Sequence, residues 1–401
     1  MKHLIIRNIG PLSNVDITLS RINLIIGPQS TGKSCILKVA CFCAWLEERI
    51  EFSQNPESEF TKKVVEERLI DFYRLKDFIR EDSFIDYETD CLRFSYSFGN
   101  GQRIFEWKKN RWEYHRRKVA YIIAERNVVA VVPNWYEVSL RNDYLRSFLA
   151  EWQNARNFMK DFGTIDVLGQ QIAYQYDDVN QEDQIIMNNG QTISLRSASS
   201  GLQSVVPLYI QLFYFAYGFF LNKKSGNVMD EMLRENVLIE MNKEFNTSVI
   251  KSDEGYAVKG KTKQIINQLT QYDSCDLFIE EPEENLFPQT QNELVKWFAE
   301  LMNNGRNHSL FIATHSPYVM SAFNNLIQAG DVIEESPDKK ASVEQIVGYN
   351  LSLSYDDVAA FAIIDGTVHS IKDDELRLIS PSELDTASDK ISEVFNQLIQ
   401  L

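Results

Sequence analysis

Ile22-Asn23-Leu24-Ile25-Ile26-Gly27-Pro28-Gln29-Ser30-Thr31-Gly32-Lys33-Ser34 is an apolar run that opens into a glycine-rich turn and then into helix-compatible sequence. A turn at such a junction aims several backbone N–H groups and a helix N-terminus at one point, which suits a phosphate chain better than a neutral ligand. Gly27, Pro28, Gln29, Ser30, Thr31 and Gly32 read as the cradle of a phosphate loop. Lys33 reads as the group that reaches the terminal phosphates, and Ser34 as a hydroxyl ligand for a magnesium ion. Nucleotide binding on an α/β fold is the first expectation.

Downstream, Cys275-Asp276-Leu277-Phe278-Ile279-Glu280-Glu281 is an apolar strand that ends in a carboxylate pair. Alone, the pair would equally suit a solvated acidic turn. Beside a phosphate loop it divides the labour: Glu280 takes the magnesium ion and its water shell, and Glu281 orients or deprotonates the water that attacks the γ-phosphate. Ser309-Leu310-Phe311-Ile312-Ala313-Thr314-His315-Ser316-Pro317 repeats the logic, with a buried strand delivering His315 to its C-terminal end. A lone histidine there is otherwise a satisfied structural residue. Ala198-Ser199-Ser200-Gly201-Leu202-Gln203 opens a helix with small residues and free N–H groups, which reads either as an ordinary serine N-cap or as a second anion site.

Outside these stretches the chain alternates between helical and strand character. Leu4–Ile9 and Val15–Leu19 read as strands around a Gly10-Pro11 turn. Helix follows the phosphate loop through Leu37, Ala40, Trp45 and Leu46, and helix-compatible sequence continues to about Arg80. Residues 91–124 read as antiparallel sheet with a hairpin at Gly99-Asn100-Gly101, 136–162 as helix, and Asn188-Asn189-Gly190 as a second hairpin turn. Ser197 to Asn222 contains no charged residue, but Pro207, Gln211, Gly218 and three tyrosines suit a buried helix better than a membrane span. Residues 223–270 read as a variable insertion with a strand pair near Ser248 to Val258. From Asp276 the order becomes strand, helix, strand, helix.

The net charge of −16 among 401 residues opposes a surface that coats nucleic acid as a whole. One local exception is Lys108-Lys109-Asn110-Arg111-Trp112-Glu113-Tyr114-His115-Arg116-Arg117-Lys118, basic and interleaved with aromatics. This stretch is read as a nucleic-acid groove or as a solvated hairpin face. Five cysteines fit free thiols in a reducing compartment, with Cys41 and Cys43 packing in a core near the end of a helix. Early charges in Met1 to Asn8 exclude a secretory h-region, so a cytoplasmic protein without membrane attachment is expected.

Taken together and in this order, the four motifs resemble the ABC-type ATPase heads shared by RecF, the SMC proteins and the overcoming-lysogenization-defect (OLD) family. Gly27 to Ser34 resembles the Walker A loop, Ser199-Ser200-Gly201 the signature motif, Leu277 to Glu281 Walker B, and Thr314-His315-Ser316 the switch-histidine loop. Ile6-Arg7-Asn8-Ile9-Gly10-Pro11-Leu12 and Glu280-Glu281-Pro282-Glu283-Glu284-Asn285-Leu286-Phe287-Pro288 are most similar to the OLD-like branch. The resemblance implies a P-loop NTPase with a mixed sheet and flanking helices, formed by residues 1–45 and 196–401. Residues 46–195 would be an inserted helical arm plus an antiparallel β subdomain.

It also implies ATP and Mg2+ as cofactors, Glu281, His315 and Lys33 as catalytic groups, and Ser34 and Glu280 at the metal. The homodimer or higher homo-oligomer would place Ser199, Ser200 and Gly201 of one copy over the ATP of another, with Asn285-Leu286 in the D-loop between them. No Q-loop glutamine is evident, although Tyr121-Ile122-Ile123-Ala124-Glu125-Arg126 resembles the strand near that place. The acids Asp356-Asp357 and Asp373-Asp374 do not have the arrangement of a Toprim nuclease, so a separate effector, nuclease or toxin, is the expected partner. Three functions stay open: an ATP-driven sensor or regulator of an effector in bacterial anti-phage defence, a RecF/SMC-like DNA repair or maintenance ATPase, and a non-hydrolysing nucleotide-gated scaffold that sequesters a toxin.

Overall fold

Every side chain of Ile22–Ile26 is buried, so this segment belongs inside a sheet covered on both faces. The computed structural model describes residues 2–132, 134–221, 237–241, 243, 250–252, 255–257 and 260–380, the side chains of 250–252, 255–257 and 260–262 excepted. Strands β1 (Lys2–Ile9) and β2 (Leu12–Leu19) form an antiparallel hairpin, and Ile22–Ile26 follows as β3. Helix α1 (Lys33–Ser53) leaves the phosphate loop. It ends where Gln54 takes a left-handed φ of 53° and donates to the Ile50 carbonyl, earlier than the expected helical run to Arg80. Pro56, with no N–H and a bias against helix in its predecessor, enforces that stop.

Strands β4 (Ile79–Glu88), β5 (Leu92–Ser97) and β6 (Gln102–Trp107) continue the antiparallel ladder from β1, and β7 (Arg117–Ile122) crosses to the other edge of the same sheet. Four of the eight strands that lie between residues 46 and 195 are therefore strands of the main sheet. Helix α2 (Tyr144–Phe162) starts later than expected, where Asp143 accepts from the Arg146 N–H as its N-cap. A small antiparallel sheet follows: β8 (Ile165–Asp166), β9 (Ala173–Asp177), β10 (Glu182–Ile186) and β11 (Thr192–Ser194). Buried Arg156 of α2 pairs with Asp183 of β10, which also accepts from the Tyr174 hydroxyl at 2.7 Å, so the helix and this sheet pack as one body.

Helix α3 (Ser200–Phe213), continued by a π-helical turn to Gly218, is the buried uncharged helix. Among the described residues no helix is long and apolar enough to cross a membrane. The expected strand pair in the insertion is present as β12 (Ile250–Ser252) and β13 (Gly255–Ala257), whereas Ser248, Val258 and Asn222 lie outside the described residues. Then come α4 (Gly260–Thr270), β14 (Ser274–Glu280), α5 (Pro288–Met302), β15 (Ser309–Thr314), α6 (Pro317–Glu335), α7 (Lys340–Val347), β16 (Val358–Ile364) and β17 (Thr367–Ser370).

The main sheet has the order β6-β5-β4-β1-β2-β17-β16-β3-β15-β14-β7. Its half from β16 to β7 is parallel, and its other half is an antiparallel wing apart from the single β17–β2 contact. This is the expected α/β class with a mixed sheet and flanking helices. Parallel strands need crossover connections, and α5 and α6 supply them beside β14 and β15. Phe278 and Phe311 stack on adjacent strands at 4.2 Å between ring centroids, so β14 and β15 share an apolar face as well as a ladder. All five cysteines are free and buried, Cys41 and Cys43 in the middle of α1 rather than near its end.

One charged cluster pins the parallel edge. Arg117 of β7 donates through Nε to Asp276 of β14 at 2.7 Å and through Nη2 to the Ser309 hydroxyl of β15 at 2.7 Å, while Lys2 of β1 approaches Asp276 at 3.3 Å. Burial alone would raise the Asp276 carboxyl, but Arg117 and Lys2 outweigh it and hold the group at about 2. The folded value lies below the ordinary 3.8, so this stabilisation is complete above that pH and is lost as pH falls through about 2. Arg117→Met should leave the buried carboxylate with Lys2 alone and cost about 3 kcal/mol in urea denaturation at neutral pH. A variant as stable as the parent would show that the pair contributes nothing.

Candidate functional site

The parallel register brings the motif ends together. Ile26 at the end of β3 pairs with Thr314 at the end of β15, and Ala313 pairs with Glu280 at the end of β14. Gly27, His315 and Glu281, far apart in sequence, therefore leave the sheet at one edge. The phosphate loop turns through Gly27, Ser30 and Gly32 at φ values of 157°, 63° and 107°. At Gly32 a Cβ would lie 2.7 Å from the Leu12 Cδ2, so the loop needs glycine for space as well as for backbone freedom.

Lys33, buried at the first position of α1, folds back over this loop. Its Nζ donates to the carbonyls of Gly27 at 2.9 Å and Pro28 at 2.8 Å, and it approaches His315 Nδ1 at 3.3 Å. On the other side of the ring, His315 Nε2 lies 3.2 Å from Glu281 Oε1. An ammonium has only hydrogens to give and a carboxylate only lone pairs, so one neutral tautomer satisfies both contacts: Nδ1 accepts from Lys33 and Nε2–H donates to Glu281. The His315 main-chain N–H donates to Glu283 Oε1 at 2.6 Å, and the Glu281 N–H donates to the Ala313 carbonyl at 2.8 Å. Glu281 itself sits at φ 41°, an uncommon conformation for a non-glycine residue. Burial brings Lys33 down from the ordinary 10.5 to about 8, against the upward pull of Glu281 and Glu283.

The surroundings carry an excess of negative charge. Glu280, Glu281, Glu283 and Glu284 act together on Arg126, and Glu281 and Glu283 act on Lys33. Glu283 Oε2 and Glu284 Oε2 are buried without a hydrogen-bond partner. Two cations do not offset four carboxylates, and a triphosphate would add further negative charge. A hard divalent cation fits this imbalance, and the buried Glu280 carboxylate with the Ser34 hydroxyl is the all-oxygen donor set that magnesium prefers.

Ser199, exposed, caps α3 by accepting from the Leu202 N–H at 3.4 Å. Exposed Ser200 and part-buried Gly201 follow in its first turn. The Gly201 Cα lies so close to the loop after β14 that an added Cβ would stand 2.9 Å from the Asn285 carbonyl, and Asn285 Nδ2 donates to the Ser204 hydroxyl at 3.1 Å. The serine motif thus rests on the Asn285-Leu286 loop of its own chain. Sequence reading passed over Arg126, which is fully buried at the junction of β7, β14 and α3. A single arginine just past an apolar strand end was the available signal.

The basic stretch does not form an open cationic surface. Lys108 pairs with Glu88 at 3.1 Å, Arg116 with Glu48 at 2.6 Å, Arg117 with Asp276, and Lys118 with Glu151 at 2.6 Å. Trp112 and Tyr114 are buried, and the Arg111 guanidinium lies 4.0 Å from the Trp107 ring centroid. These contacts weigh against the expected groove: Lys108, Arg116, Arg117 and Lys118 are partners of the fold's own carboxylates, so reversing the last three would report on folding, while Lys109 is exposed.

A family model described as an AAA ATPase domain matches residues 137–320, a span that holds Ser199–Gly201, Glu280–Glu281 and His315 but not the phosphate loop. No curated protein matches the chain. Among solved structures, the SMC head domain of Thermotoga maritima is 10% identical with a TM-score of 0.37, over 92% of this chain and 97% of that chain. The Smc head domain of Pyrococcus furiosus, bound to the C-terminal domain of ScpA, is 9% identical with a TM-score of 0.39, over 98% and 100%. The recombination mediator RecF is 12% identical with a TM-score of 0.31, over 92% and 97%.

The Lys33 geometry sets a pH dependence. A phosphate chain attracts the ammonium and not the neutral amine, so affinity for a fluorescent ATP analogue should weaken as pH rises through about 8, approaching a loss of about tenfold per unit. Lys33→Arg, which keeps its charge, should flatten the profile. A flat profile for the unaltered protein would exclude Lys33 from the phosphate contact.

Proposed function

We propose that this chain binds and hydrolyses ATP and that it closes as a head-to-tail dimer on two ATP molecules. The observation that carries the reading is the unbroken contact series Lys33–His315–Glu281, which joins three separate motifs over the ends of three adjacent parallel strands. The AAA ATPase domain match over residues 137–320 supports the same chemistry. Phosphoryl transfer asks a protein chiefly for positioning and charge stabilisation. Lys33 would leave its loop carbonyls for the terminal phosphates, and the cradle of Gly27 to Ser34 would hold the phosphate chain through its backbone N–H groups.

Glu281 would accept the proton of the attacking water or orient it, and His315, anchored through its own N–H by Glu283, would keep Glu281 facing the phosphate. Ser34 and Glu280 would hold magnesium, which neutralises charge on the transferring phosphoryl group when bound. Ser199, Ser200 and Gly201 would complete the ATP site of a second copy. Exposed Phe287 and Tyr318, which directly follow the two site loops, suit burial in such a contact.

The biological role we infer is an ATP-driven sensor or regulator that acts on a separate effector, in bacterial anti-phage defence. Support comes from the similarity of the Glu280–Pro288 phrase to OLD-like ATPases. The internal pairing of the Lys108–Lys118 charges weighs against a DNA-maintenance role through that stretch.

Glu281→Gln keeps the shape of the side chain and removes the base. It should reduce turnover by about a hundredfold or more while ATP binding persists, and light scattering with ATP and Mg2+ should find dimers. Hydrolysis at the parental rate would overturn the assignment of Glu281, and a monomer saturated with ATP would overturn the shared site.

A further inference from the structure

Arg126 has an unusual set of partners for a buried charge. Its Nε donates to the Ser204 carbonyl of α3 at 2.9 Å. Nη1 donates to Ile123 at 3.3 Å and to the Glu280 carbonyl at 3.0 Å, and Nη2 to Glu281 at 2.8 Å and to Pro282 at 3.3 Å. A guanidinium has five N–H donors in a rigid fork, and each one here meets a main-chain carbonyl. No described carboxylate forms an ion pair with it, although Glu284, Glu283, Glu281 and Glu280 all pull its pKa upward against the larger effect of burial.

Three stretches of backbone meet at this side chain: the end of β7, the end of the neighbouring β14 with the loop that follows it and carries Glu281, and the first turns of α3. Pro207 inside α3 cannot donate to the Gln203 carbonyl four residues before it, the neighbour of the Ser204 carbonyl that Arg126 binds. Asn285 Nδ2 on the Ser204 hydroxyl and the close approach of Gly201 to the Asn285 carbonyl tie the same two segments a second time. Glu281, at φ 41°, is in a conformation that surrounding structure must hold in place.

We propose that Arg126 is a positioning residue that clamps the Glu280–Pro282 backbone to the N-terminal turns of α3, so that Glu281 and the Ser199–Gly201 turn move as one unit. The proposal rests on the reading of Glu281 as the catalytic acid. A displacement of Ser199 by nucleotide on a neighbouring copy is then carried to Glu281 through the Arg126 fork, with the Asn285–Ser204 contact beside it, and without passing through the phosphate loop. Arg126 acts on the backbone and touches no reacting atom, so its loss changes catalysis more than nucleotide affinity.

The test uses the full chain with Arg126→Lys, which keeps the charge but has one donor centre in place of the fork. Turnover should fall about tenfold or more while KM for ATP stays within about twofold. In the nucleotide-free protein, amide hydrogen exchange should rise together in 199–204 and 280–286 and stay unchanged in 27–34. If the lysine variant does not fold, Ser204→Ala removes only the Asn285 contact and should move turnover and exchange in the same directions by less. Loss confined to KM, or exchange rising in one segment and not the other, overturns the clamp. Absence of hydrolysis in the parent overturns the ATPase reading instead, and the exchange measurement still decides whether Arg126 joins the two segments.

Discussion

The hydrogen-bond register of β3, β15 and β14 is the constraint on which the rest depends. A slip of one residue in any of these strands would turn its side chains to the other face and carry the residue beyond its end away from its neighbours. With Ile26 opposite Thr314 and Ala313 opposite Glu280, the residues just beyond each strand are neighbours by construction. The site is thus assembled by backbone pairing, and the side chains only finish it. Placing β15 between the other two gives His315 access to Lys33 on one side and to Glu281 on the other.

Electrostatics shapes the molecule around that edge in two different ways. At the beginning of β14, Asp276 faces Arg117 and Lys2, Glu47 lies 3.5 Å from Lys2, and the two buried carboxylates balance the two cations. At the end of the same strand the balance is left open, with four glutamates against Lys33 and Arg126. A matched cluster holds strands together, and an unmatched one invites a cation with its ligand. The two ends of one strand divide architecture from chemistry.

The parts of this arrangement that were legible in the sequence are those encoded in short contiguous stretches. The loop of Gly27 to Ser34, the acids after Ile279 and the histidine after Thr314 each follow an apolar run, so their place at strand ends was open to reading. The strand order was not, because pairings such as β3 with β16 join residues hundreds of positions apart. The basic run at 108–118 misled for the same reason: Glu48, Asp276 and Glu151, which absorb Arg116, Arg117 and Lys118, are remote in sequence and invisible to a local reading of charge. Arg126 escaped because its partners are carbonyl oxygens, which every residue type carries and no sequence pattern marks.

The sequestered cysteines have a practical consequence. Burial pushes the thiols of Cys35 and Cys41 up to about 11 and 12 and raises those of Cys43, Cys91 and Cys275 as well, so at neutral pH the folded chain presents almost no thiolate to solvent. A cysteine introduced on the surface would be the reactive one. Spectroscopic probes could therefore be attached singly, beside Ser199 or on the rim of the phosphate loop, without first stripping the native sulfur from the core.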